Sequence, residues 1–263
     1  MRIALDDVTI DVESAGYGDA IVLLHGFPVT RAVWDAQAPV LASSARVVCP
    51  DLRGMGRSSV PEGPYLMETL AGDVAGVLDA LQIERASFVG HSLGGYVAMA
   101  FARMYAERVR RLVLVCSRLA ADSPETARVR EDLADRIERE GRADAVLDAY
   151  LPRLLAAQTL ERRPEIVARV RKIGLENTPR GIAGMLRGIA QRAASDDIAQ
   201  ELTMPVLILA GRYDAVVPPG EARAMASIFP NASVAFMEGS GHLPMLEEPG
   251  STAAAIAGFL AAG

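Results

Sequence analysis

The segment Gly90-His91-Ser92-Leu93-Gly94 decides the fold of this chain. It follows the apolar run Ala86 to Val89 and opens an apolar helical pattern over Gly95 to Tyr105, which indicates a sharp turn from a strand into a helix. A serine in such a turn projects its hydroxyl above the sheet, and the flanking glycines let neighbouring backbone approach without a Cβ clash. The pattern Gly-x-Ser-x-Gly is weak evidence alone, so the rest of the chain must supply the context.

Short β-branched runs recur along the chain, and most are followed by a turn and a longer helical pattern. This alternation predicts an α/β fold with a buried, mostly parallel sheet that is flanked by helices. Two early runs flank Asp6-Asp7 and predict a leading hairpin, which brings the sheet to about eight strands. The predicted strands are residues 2–5, 8–13, 21–24, 46–49, 86–89, 111–116, 206–209 and 233–236.

The alternation of strands and helices stops between residues 118 and 200, where Ala, Arg, Glu and Leu dominate. This stretch has no strand-like run, which predicts a helical insertion of residues 118–200 in a core domain of residues 1–117 and 201–263. We expect the insertion to pack on the core, because no low-complexity linker separates them. Its arginines alternate with acids at helical spacing, as at Glu138 and Arg142, which favours a solvated helix face.

The composition excludes several classes of function. Of the 263 residues, 51% are hydrophobic and 23% are charged, which describes a globular protein. The net charge is −6 and the arginines are interleaved with acids, so no nucleic-acid partner is expected. Lys172 is the only lysine and lies in an Arg-rich helical stretch, so it is a poor candidate for a Schiff base.

Neither a metal nor a cofactor is expected. The three histidines and two cysteines show no metal-ligand spacing. Cys49 and Cys116 end different predicted strands, so we expect both to be small buried hydrophobes and not a disulfide. The longest apolar stretch, Thr252 to Gly263, is about half of what a membrane helix needs, and residues 1–12 do not resemble a signal peptide. A cytoplasmic protein without a membrane partner is therefore predicted.

Two residues downstream of Ser92 supply the partners that a serine nucleophile needs. A serine hydroxyl becomes a good nucleophile when an imidazole accepts its proton, and a carboxylate fixes the tautomer of that imidazole. Asp214 follows the predicted strand 206–209, and His242 follows the predicted strand 233–236. Because all three lie just after the carboxyl ends of strands, we expect them to meet above the sheet.

Backbone N–H groups near Ser92 are candidates for an oxyanion hole. The segment His25-Gly26-Phe27-Pro28 directly follows the predicted strand 21–24. The N–H of Phe27 is predicted to join that of Leu93, because two donors are enough to stabilise the developing negative charge. His25 and His91 are expected to be structural, with His25 bracing this loop.

The chain resembles the α/β-hydrolase fold family over essentially its whole length. The resemblance implies the strand order 1-2-4-3-5-6-7-8 and a role for the insertion as a cap over the site. It also implies Ser92 as nucleophile, Asp214 as acid and His242 as base, with Phe27 and Leu93 as oxyanion donors. Some relatives carry the acid one strand earlier, where Asp122 is the alternative. The matching segments are His25 to Pro28, Asp51 to Ser58, Gly90 to Gly95, Gly211 to Pro218 and Gly241 to Pro249.

Within this family the chain is similar to carboxylesterases, enol-lactone hydrolases and cofactor-free haloperoxidases. The resemblance implies a serine hydrolase of small carboxylic esters or lactones that forms an acyl-enzyme at Ser92. One alternative is a perhydrolase or haloperoxidase, in which peroxide accepts the acyl group. The other is a non-catalytic ligand-binding protein on the same fold.

A small-molecule ester or lactone is the expected partner. Apolar side chains near the site are candidates for contacting it, although the same residues would serve equally well to join the insertion to the sheet. These candidates are Phe27, Leu119, Leu154, Met185, Ile189, Val217 and Leu243.

Overall fold

A mixed sheet is the centre of the computed structural model, which describes residues 1–262. The strands of this sheet are β1 (Arg2–Ala4), β2 (Thr9–Ala15), β3 (Ala20–Leu24), β4 (Arg46–Pro50), β5 (Ala86–His91), β6 (Val109–Val115), β7 (Val206–Gly211) and β8 (Ala232–Met237). Their order is β1-β2-β4-β3-β5-β6-β7-β8. The pairs β1–β2 and β2–β4 are antiparallel, and the others are parallel. The structure confirms the predicted fold class, the leading hairpin and the strand order.

Helices flank the sheet and fill the stretch between β6 and β7. The α-helices of the described residues are α1 (Gln37–Ala42), α2 (Met67–Ala80), α3 (Leu93–Met104), α4 (Pro124–Glu140), α5 (Asp144–Leu154), α6 (Ala157–Arg162), α7 (Pro164–Gly174), α8 (Pro179–Ala190), α9 (Asp196–Glu201), α10 (Pro219–Ala226), α11 (Pro244–Glu247) and α12 (Pro249–Ala261). None of these helices has the length and apolar character that a membrane crossing needs.

Several strands extend beyond their predicted ends. β5 was expected to end at Val89, but Gly90 and His91 still pair with Leu114 and Val115 of β6. The end of β5 was predicted from its side-chain pattern, but backbone hydrogen bonds between strands do not depend on that pattern. The pairing with β6 therefore continues after the apolar run stops. α3 begins at Leu93, two residues before the predicted start, because the turn from strand to helix consists of a single residue.

Both faces of the central strands are covered. Every residue of β3, β5 and β7 is buried, as expected for strands with helices on both sides. Alternate residues of β3 enter different hydrophobic clusters, with Val22 and Leu24 in one and Ile21 and Leu23 in the other. The period of two along a strand therefore divides the core into two layers, one on each face of the sheet.

The helices α4 to α9 occupy the stretch that is predicted to be an insertion, although α9 ends at Glu201, and within the described residues no strand lies between 118 and 200. Apolar residues of α8, such as Met185 and Ile189, share a buried cluster with Leu24 of β3 and Leu114 of β6. The insertion therefore shares a continuous apolar cluster with the sheet. Its division from the core as a separate cap domain stays a prediction.

The charges of the insertion differ in part from the expected solvated pairs. Glu138 pairs with Arg187 of α8, and Arg142 pairs with Asp144. These two ion pairs lie at partly or fully exposed positions, as predicted for a solvated face. Arg192, directly after α8, is instead buried. The repeating pattern of the sequence does not distinguish it from the exposed arginines, because its burial depends on the loop that covers it.

The two cysteines are free and buried, as predicted. Cys49 lies at the end of β4, and Cys116 follows β6. Since β3 and β5 lie between those strands, the two thiols are separated by three strand spacings of about 4.8 Å each.

Close contact between α3 and the sheet requires glycine at two positions. A Cβ added at Gly94 would lie 2.3 Å from the carbonyl oxygen of Leu24, and one added at Gly90 would lie 2.4 Å from the carbonyl oxygen of Gly94. Both contacts are with backbone atoms, which cannot move aside as a flexible side chain can. The glycines thus allow the first turn of α3 to lie directly against β3 and β5.

Replacing Gly94 with alanine is expected to lower the free energy of unfolding by about 1–3 kcal/mol, because the new methyl group overpacks the contact with Leu24. Urea denaturation measures this change. Gly72→Ala in α2 is the matched control, since a Cβ there meets nothing within 4 Å. The control should be neutral or stabilising by up to ~1 kcal/mol, as expected for Gly to Ala in a helix. Equal stability of the two variants would contradict the close-contact interpretation.

Candidate active site

Ser92 lies in the single-residue turn between β5 and α3. Its backbone has φ 49° and ψ −110°, a conformation that is strained for a residue with a side chain. The Ser92 N–H donates to the carbonyl of Val115, and the Ser117 hydroxyl donates to the carbonyl of Ser92, each at 2.9 Å. The end of β6 therefore holds the strained turn in place. Directly after it, the N-terminus of α3 contributes a partial positive charge.

His242 and Asp214 are joined by a hydrogen bond between buried side chains. The distance from His242 Nδ1 to Asp214 Oδ2 is 2.8 Å. Since a carboxylate only accepts, Nδ1 carries the proton, which leaves Nε2 of the neutral imidazole free to accept one. The other carboxylate oxygen, Oδ1, accepts the N–H groups of Val216 and Val217 at 2.8 and 2.9 Å.

The surroundings of Asp214 favour its ionised form. Burial alone would raise the pKa of Asp214, but the attraction of His242 and the hydrogen bonds from His242, Val217 and Val216 outweigh it. The pKa of Asp214 is therefore below its ordinary value. A carboxylate in this state orients the imidazole and stabilises the positive charge that it gains on accepting a proton.

The loop that carries His242 is held by the insertion. The His242 N–H donates to the carbonyl of Leu154 at 3.0 Å. The buried carboxylate of Glu247 accepts the N–H of Gly241 at 2.7 Å, and its other oxygen accepts the N–H of Ala156 and the hydroxyl of Thr159 at 2.9 and 2.7 Å. Glu247 thus links this loop to the segment that joins α5 and α6.

Sequence reasoning missed Glu247. It is one of two adjacent glutamates in Glu247-Glu248, a pattern typical of an exposed turn. Burial raises the pKa of Glu247, against the hydrogen bonds from Thr159, Ala156 and Gly241. The one available signal was its position five residues after His242, which by itself does not distinguish a buried acceptor from a surface acid.

The candidate oxyanion donors lie on either side of Ser92. Leu93 is the first residue of α3, where backbone N–H groups have no partner within the helix. Among the described residues, the N–H of Phe27 donates to no protein group. His25 fixes the loop before Phe27, because its Nε2 accepts the N–H of Leu52 at 3.0 Å and its Nδ1 donates to the carbonyl of Gly26 at 2.9 Å.

His91 packs against the candidate base without taking part in the Asp214 pair. The centres of the His91 and His242 rings are 4.9 Å apart, and His91 Nε2 donates to the carbonyl of His242 at 2.8 Å. Burial, with a smaller effect of His242, lowers the pKa of His91 to about 3. His91 is therefore neutral at physiological pH, and its contacts agree with a structural role.

The structure brings Asp214, and not Asp122, to His242. Asp122 binds Arg130 of α4 instead, and Arg130 also donates to the hydroxyl of Tyr150 at 3.2 Å. Within residues 1–262, no hydrogen bond joins the Ser92 hydroxyl to His242. Catalytic hydrogen bonds are often long or poorly aligned without substrate and tighten when it binds.

Cys116 is the other chemically active group beside this pair. Its thiol, the Asp214 carboxylate and His242 offer ligand atoms that lie within 4.8 Å of one another. Burial raises the pKa of the Cys116 thiol well above its ordinary value, and the charge of Asp214 adds to the effect. The thiol is therefore protonated, and a protonated thiol is a poor metal ligand. The sequence carried no signal that Cys116 lies beside Asp214 and His242, since it is far from both along the chain.

The predicted substrate-contacting residues are all buried. The hydrophobic cluster that also contains Leu93 includes four of them: Phe27, Leu119, Met185 and Ile189. The cluster on the other face of the sheet includes Leu154 and Leu243. Tyr150 packs against both clusters, and its ring meets that of Phe27 edge-on at 5.6 Å. The role of the seven residues in substrate binding stays a prediction. The seventh predicted residue, Val217, donates its N–H to Asp214.

A family model described as alpha/beta hydrolase fold matches residues 19–249. The chain belongs to the α/β-hydrolase family. This α/β-hydrolase is similar to a thermophilic esterase from Thermogutta terrifontis solved with malate bound, with 38% identity and a TM-score of 0.94 over 96% of this chain and 93% of that one.

Two further relatives have names that describe related reactions. The enol-lactonase from Burkholderia xenovorans LB400 has 29% identity and a TM-score of 0.91, and 99% of each chain is covered. The pimeloyl-[acyl-carrier protein] methyl ester esterase of Aeromonas hydrophila is 31% identical over 92% of this chain and 95% of its own. For this α/β-hydrolase, the similarities support hydrolysis of an ester or a lactone in general.

Acidification is expected to destabilise the protein through His91. Because the pKa of His91 falls from 6.5 to about 3 on folding, the unfolded chain binds a proton between these pH values that the folded chain does not. The stabilising effect is complete above about pH 6.5 and is lost progressively towards pH 3, on the order of 5 kcal/mol in total. Urea midpoints at pH 7 and pH 4 measure the loss.

The variant His91→Gln isolates this effect, since its amide can still donate to the His242 carbonyl but does not titrate. We expect a clearly smaller loss of stability on acidification in the variant. His25, whose pKa burial also lowers, remains in both proteins and contributes to the loss that is left. The same loss in both proteins would show that His91 is not the source.

Proposed function

We propose that this α/β-hydrolase is a serine hydrolase of small carboxylic esters or lactones and acts through an acyl-enzyme at Ser92. The observation that carries the proposal is the buried hydrogen bond between His242 Nδ1 and Asp214 Oδ2. It leaves the imidazole in the tautomer whose Nε2 can accept the proton of a serine hydroxyl. The esterase and enol-lactonase relatives support the same bond type as substrate.

In the first half-reaction, Ser92 Oγ attacks the carbonyl carbon of the ester, and its proton moves to His242 Nε2. The negative charge on the carbonyl oxygen is stabilised by the N–H groups of Phe27 and Leu93. When the tetrahedral intermediate collapses, the bond from carbon to the leaving oxygen breaks, and His242 gives its proton to that oxygen. An ester releases an alcohol at this step, whereas a lactone keeps its hydroxyl on the acyl chain.

In the second half-reaction, water replaces Ser92 as the nucleophile. His242 Nε2 takes a proton from water as the water oxygen attacks the acyl carbon. When this second tetrahedral intermediate collapses, the bond from carbon to Ser92 Oγ breaks, and His242 returns the proton to Oγ. Asp214 stays ionised throughout and stabilises the imidazolium in both halves, which agrees with its lowered pKa. The products are a carboxylic acid and an alcohol, or one hydroxy acid from a lactone.

Ser92→Ala is expected to lower turnover of p-nitrophenyl acetate by about four to six orders of magnitude, because the three residues act as a unit. A fluorophosphonate probe should label the unmodified protein at Ser92 and leave the variant unlabelled, as peptide mass mapping would detect. An unchanged circular dichroism spectrum controls for folding. Near-normal turnover in the variant, or labelling at another residue, would rule out the proposed nucleophile.

Asp214→Asn is expected to lower kcat for p-nitrophenyl acetate by on the order of 10⁴, because an amide can hold the imidazole in the wrong tautomer. Asp122→Asn is the matched control, since its carboxylate binds Arg130 and makes no bond to His242. We expect the control to lose less than about tenfold. The opposite ranking of the two variants would move the acid to Asp122.

A further inference from the structure

Asn177 is a buried amide that connects the insertion to the core. It lies between α7 and α8, and its exposure is 6% of the full value. Its Nδ2 donates to the carbonyl oxygens of Pro28 and Gly174 at 2.9 and 3.2 Å, and its Oδ1 accepts the N–H of Gly56 at 2.8 Å. Both amide hydrogens and the amide oxygen therefore have partners, so the side chain is held in one orientation.

The Pro28 carbonyl belongs to the turn that carries a candidate oxyanion donor. This turn, residues 26–29, is closed by a hydrogen bond from the Val29 N–H to the Gly26 carbonyl at 3.3 Å. Phe27 lies inside the turn, and its N–H donates to no protein group among the described residues. The direction of that N–H is therefore set by the groups that hold the two ends of the turn.

The start of the turn is held by the core. His25, directly before the turn, accepts the N–H of Leu52 through its Nε2 at 3.0 Å. The turn also lies against the nucleophile segment, because a Cβ added at Gly26 would be 2.3 Å from Nδ1 of His91, the residue before Ser92. A shift of the turn therefore changes the position of the Phe27 N–H relative to Ser92.

The end of the turn is held by the insertion. Asn177 bridges the Pro28 carbonyl and the Gly56 N–H. Gly56 lies in the segment 51–58, which also supplies the N–H that His25 accepts. This segment therefore holds both ends of the turn, one end directly through His25 and the other through Asn177.

Asn177 differs from its neighbour Glu176, which also contacts this part of the chain. Glu176 accepts the Thr30 hydroxyl at 3.0 Å, but it is exposed, so water can replace that hydrogen bond. Asn177 is buried. Loss of its amide would leave the buried Pro28 carbonyl without a donor, which favours movement of the turn towards another partner.

We propose that Asn177 is a positioning residue for the oxyanion hole. By fixing the Pro28 carbonyl, it directs the N–H of Phe27 towards the carbonyl oxygen of a substrate at Ser92. The insertion then contributes to catalysis without touching the reacting atoms, because the donor is aligned only while the insertion is docked. This inference rests on the proposed hydrolase function and adds to it a role for a residue of the insertion.

The effect on kcat separates a positioning role from a structural one. Asn177→Ala should lower kcat for p-nitrophenyl acetate by about 10- to 100-fold, because both half-reactions pass through an oxyanion. KM should change by less than about threefold, since the donor acts mainly in the transition state. Urea denaturation checks that the variant is folded under the assay conditions.

Gln37→Ala is the matched control. Gln37 is also a buried amide, and its Nε2 donates to two backbone carbonyls, those of Met245 and Pro249, at 3.1 Å each. Its partners lie outside the 26–29 turn, so we expect its kcat to stay within about threefold of the original. An equal loss of kcat in the two variants would overturn the positioning role.

A thionoester reports on the oxyanion hole itself. p-Nitrophenyl thionoacetate has the same leaving group as p-nitrophenyl acetate but carries C=S in place of C=O, and sulfur is the weaker hydrogen-bond acceptor. The ratio of kcat/KM for the oxygen ester over the thionoester therefore depends on the oxyanion donors. This ratio should fall at least about threefold in Asn177→Ala and stay within about twofold in Gln37→Ala. A smaller fall in Asn177→Ala, or an equal fall in the control, would overturn the proposal.

Asn177→Asp replaces Asn177→Ala if the alanine variant does not fold. A carboxyl group accepts the Gly56 N–H in either protonation state but donates to Pro28 only when it is protonated. The ratio for the two esters should therefore fall in this variant as the pH is raised from about 6 to about 9. His242 titrates equally for both esters, so the ratio of the unmodified protein should stay constant. A ratio that equals the unmodified value over this whole range would overturn the proposal.

Hydrogen exchange measures the turn without turnover. In a peptide that contains residues 26–30, exchange should be at least about fivefold faster in Asn177→Ala, because the closing hydrogen bond of the turn loses its support. Gln37→Ala should exchange there like the unmodified protein. Unchanged exchange in Asn177→Ala would overturn the proposal even if both esters are hydrolysed. If the unmodified protein hydrolyses neither ester, the hydrolase proposal fails, and exchange still decides whether Asn177 holds the turn.

Discussion

The strained turn at Ser92 is the constraint on which the rest of the site depends. A positive φ at a serine persists only where surrounding structure fixes it, and here β6 does so through Val115 and the Ser117 hydroxyl. Because α3 begins directly after this turn, the backbone of Ser92 positions both its own hydroxyl and the N–H of Leu93. Because β5 and β6 are central strands, this geometry is supported by the most buried part of the fold.

Buried polar groups divide into two kinds around this turn. Asp214, His242, Glu247 and His25 have hydrogen bonds that account for their burial, and each fixes a loop at the carboxyl edge of the sheet. Arg192 differs, since carbonyl oxygens and an aromatic ring are its only protein partners among the described residues. A polar group that is fully paired stabilises a loop, whereas one with an unpaired donor leaves part of the free-energy cost of its burial uncompensated.

The fold could be predicted largely because it follows from local patterns. Short β-branched apolar runs mark the strands, and the Gly-x-Ser-x-Gly segment marks the turn, so the class of fold was accessible from single segments. The strand order came from the family resemblance, and no local pattern contains it. The pairing of His242 with Asp214 was accessible for a similar reason, because both follow strands that end at one edge.

The contacts of Glu247, Cys116 and Arg192 were not accessible. Each depends on residues that are distant along the chain, and the contacts of Glu247 and Arg192 also require the insertion to pack on the core. Glu247 binds residues about 90 positions away, and the chain around it resembles an exposed turn.

The hydrogen bonds from the 154–159 segment to the His242 loop have a consequence for engineering. If residues 118–200 were exchanged between relatives, the groups that hold the His242 loop would be exchanged with them. A chimaera that keeps the His242 imidazole aligned therefore needs three groups of this segment: the carbonyl of Leu154, the N–H of Ala156 and the hydroxyl of Thr159.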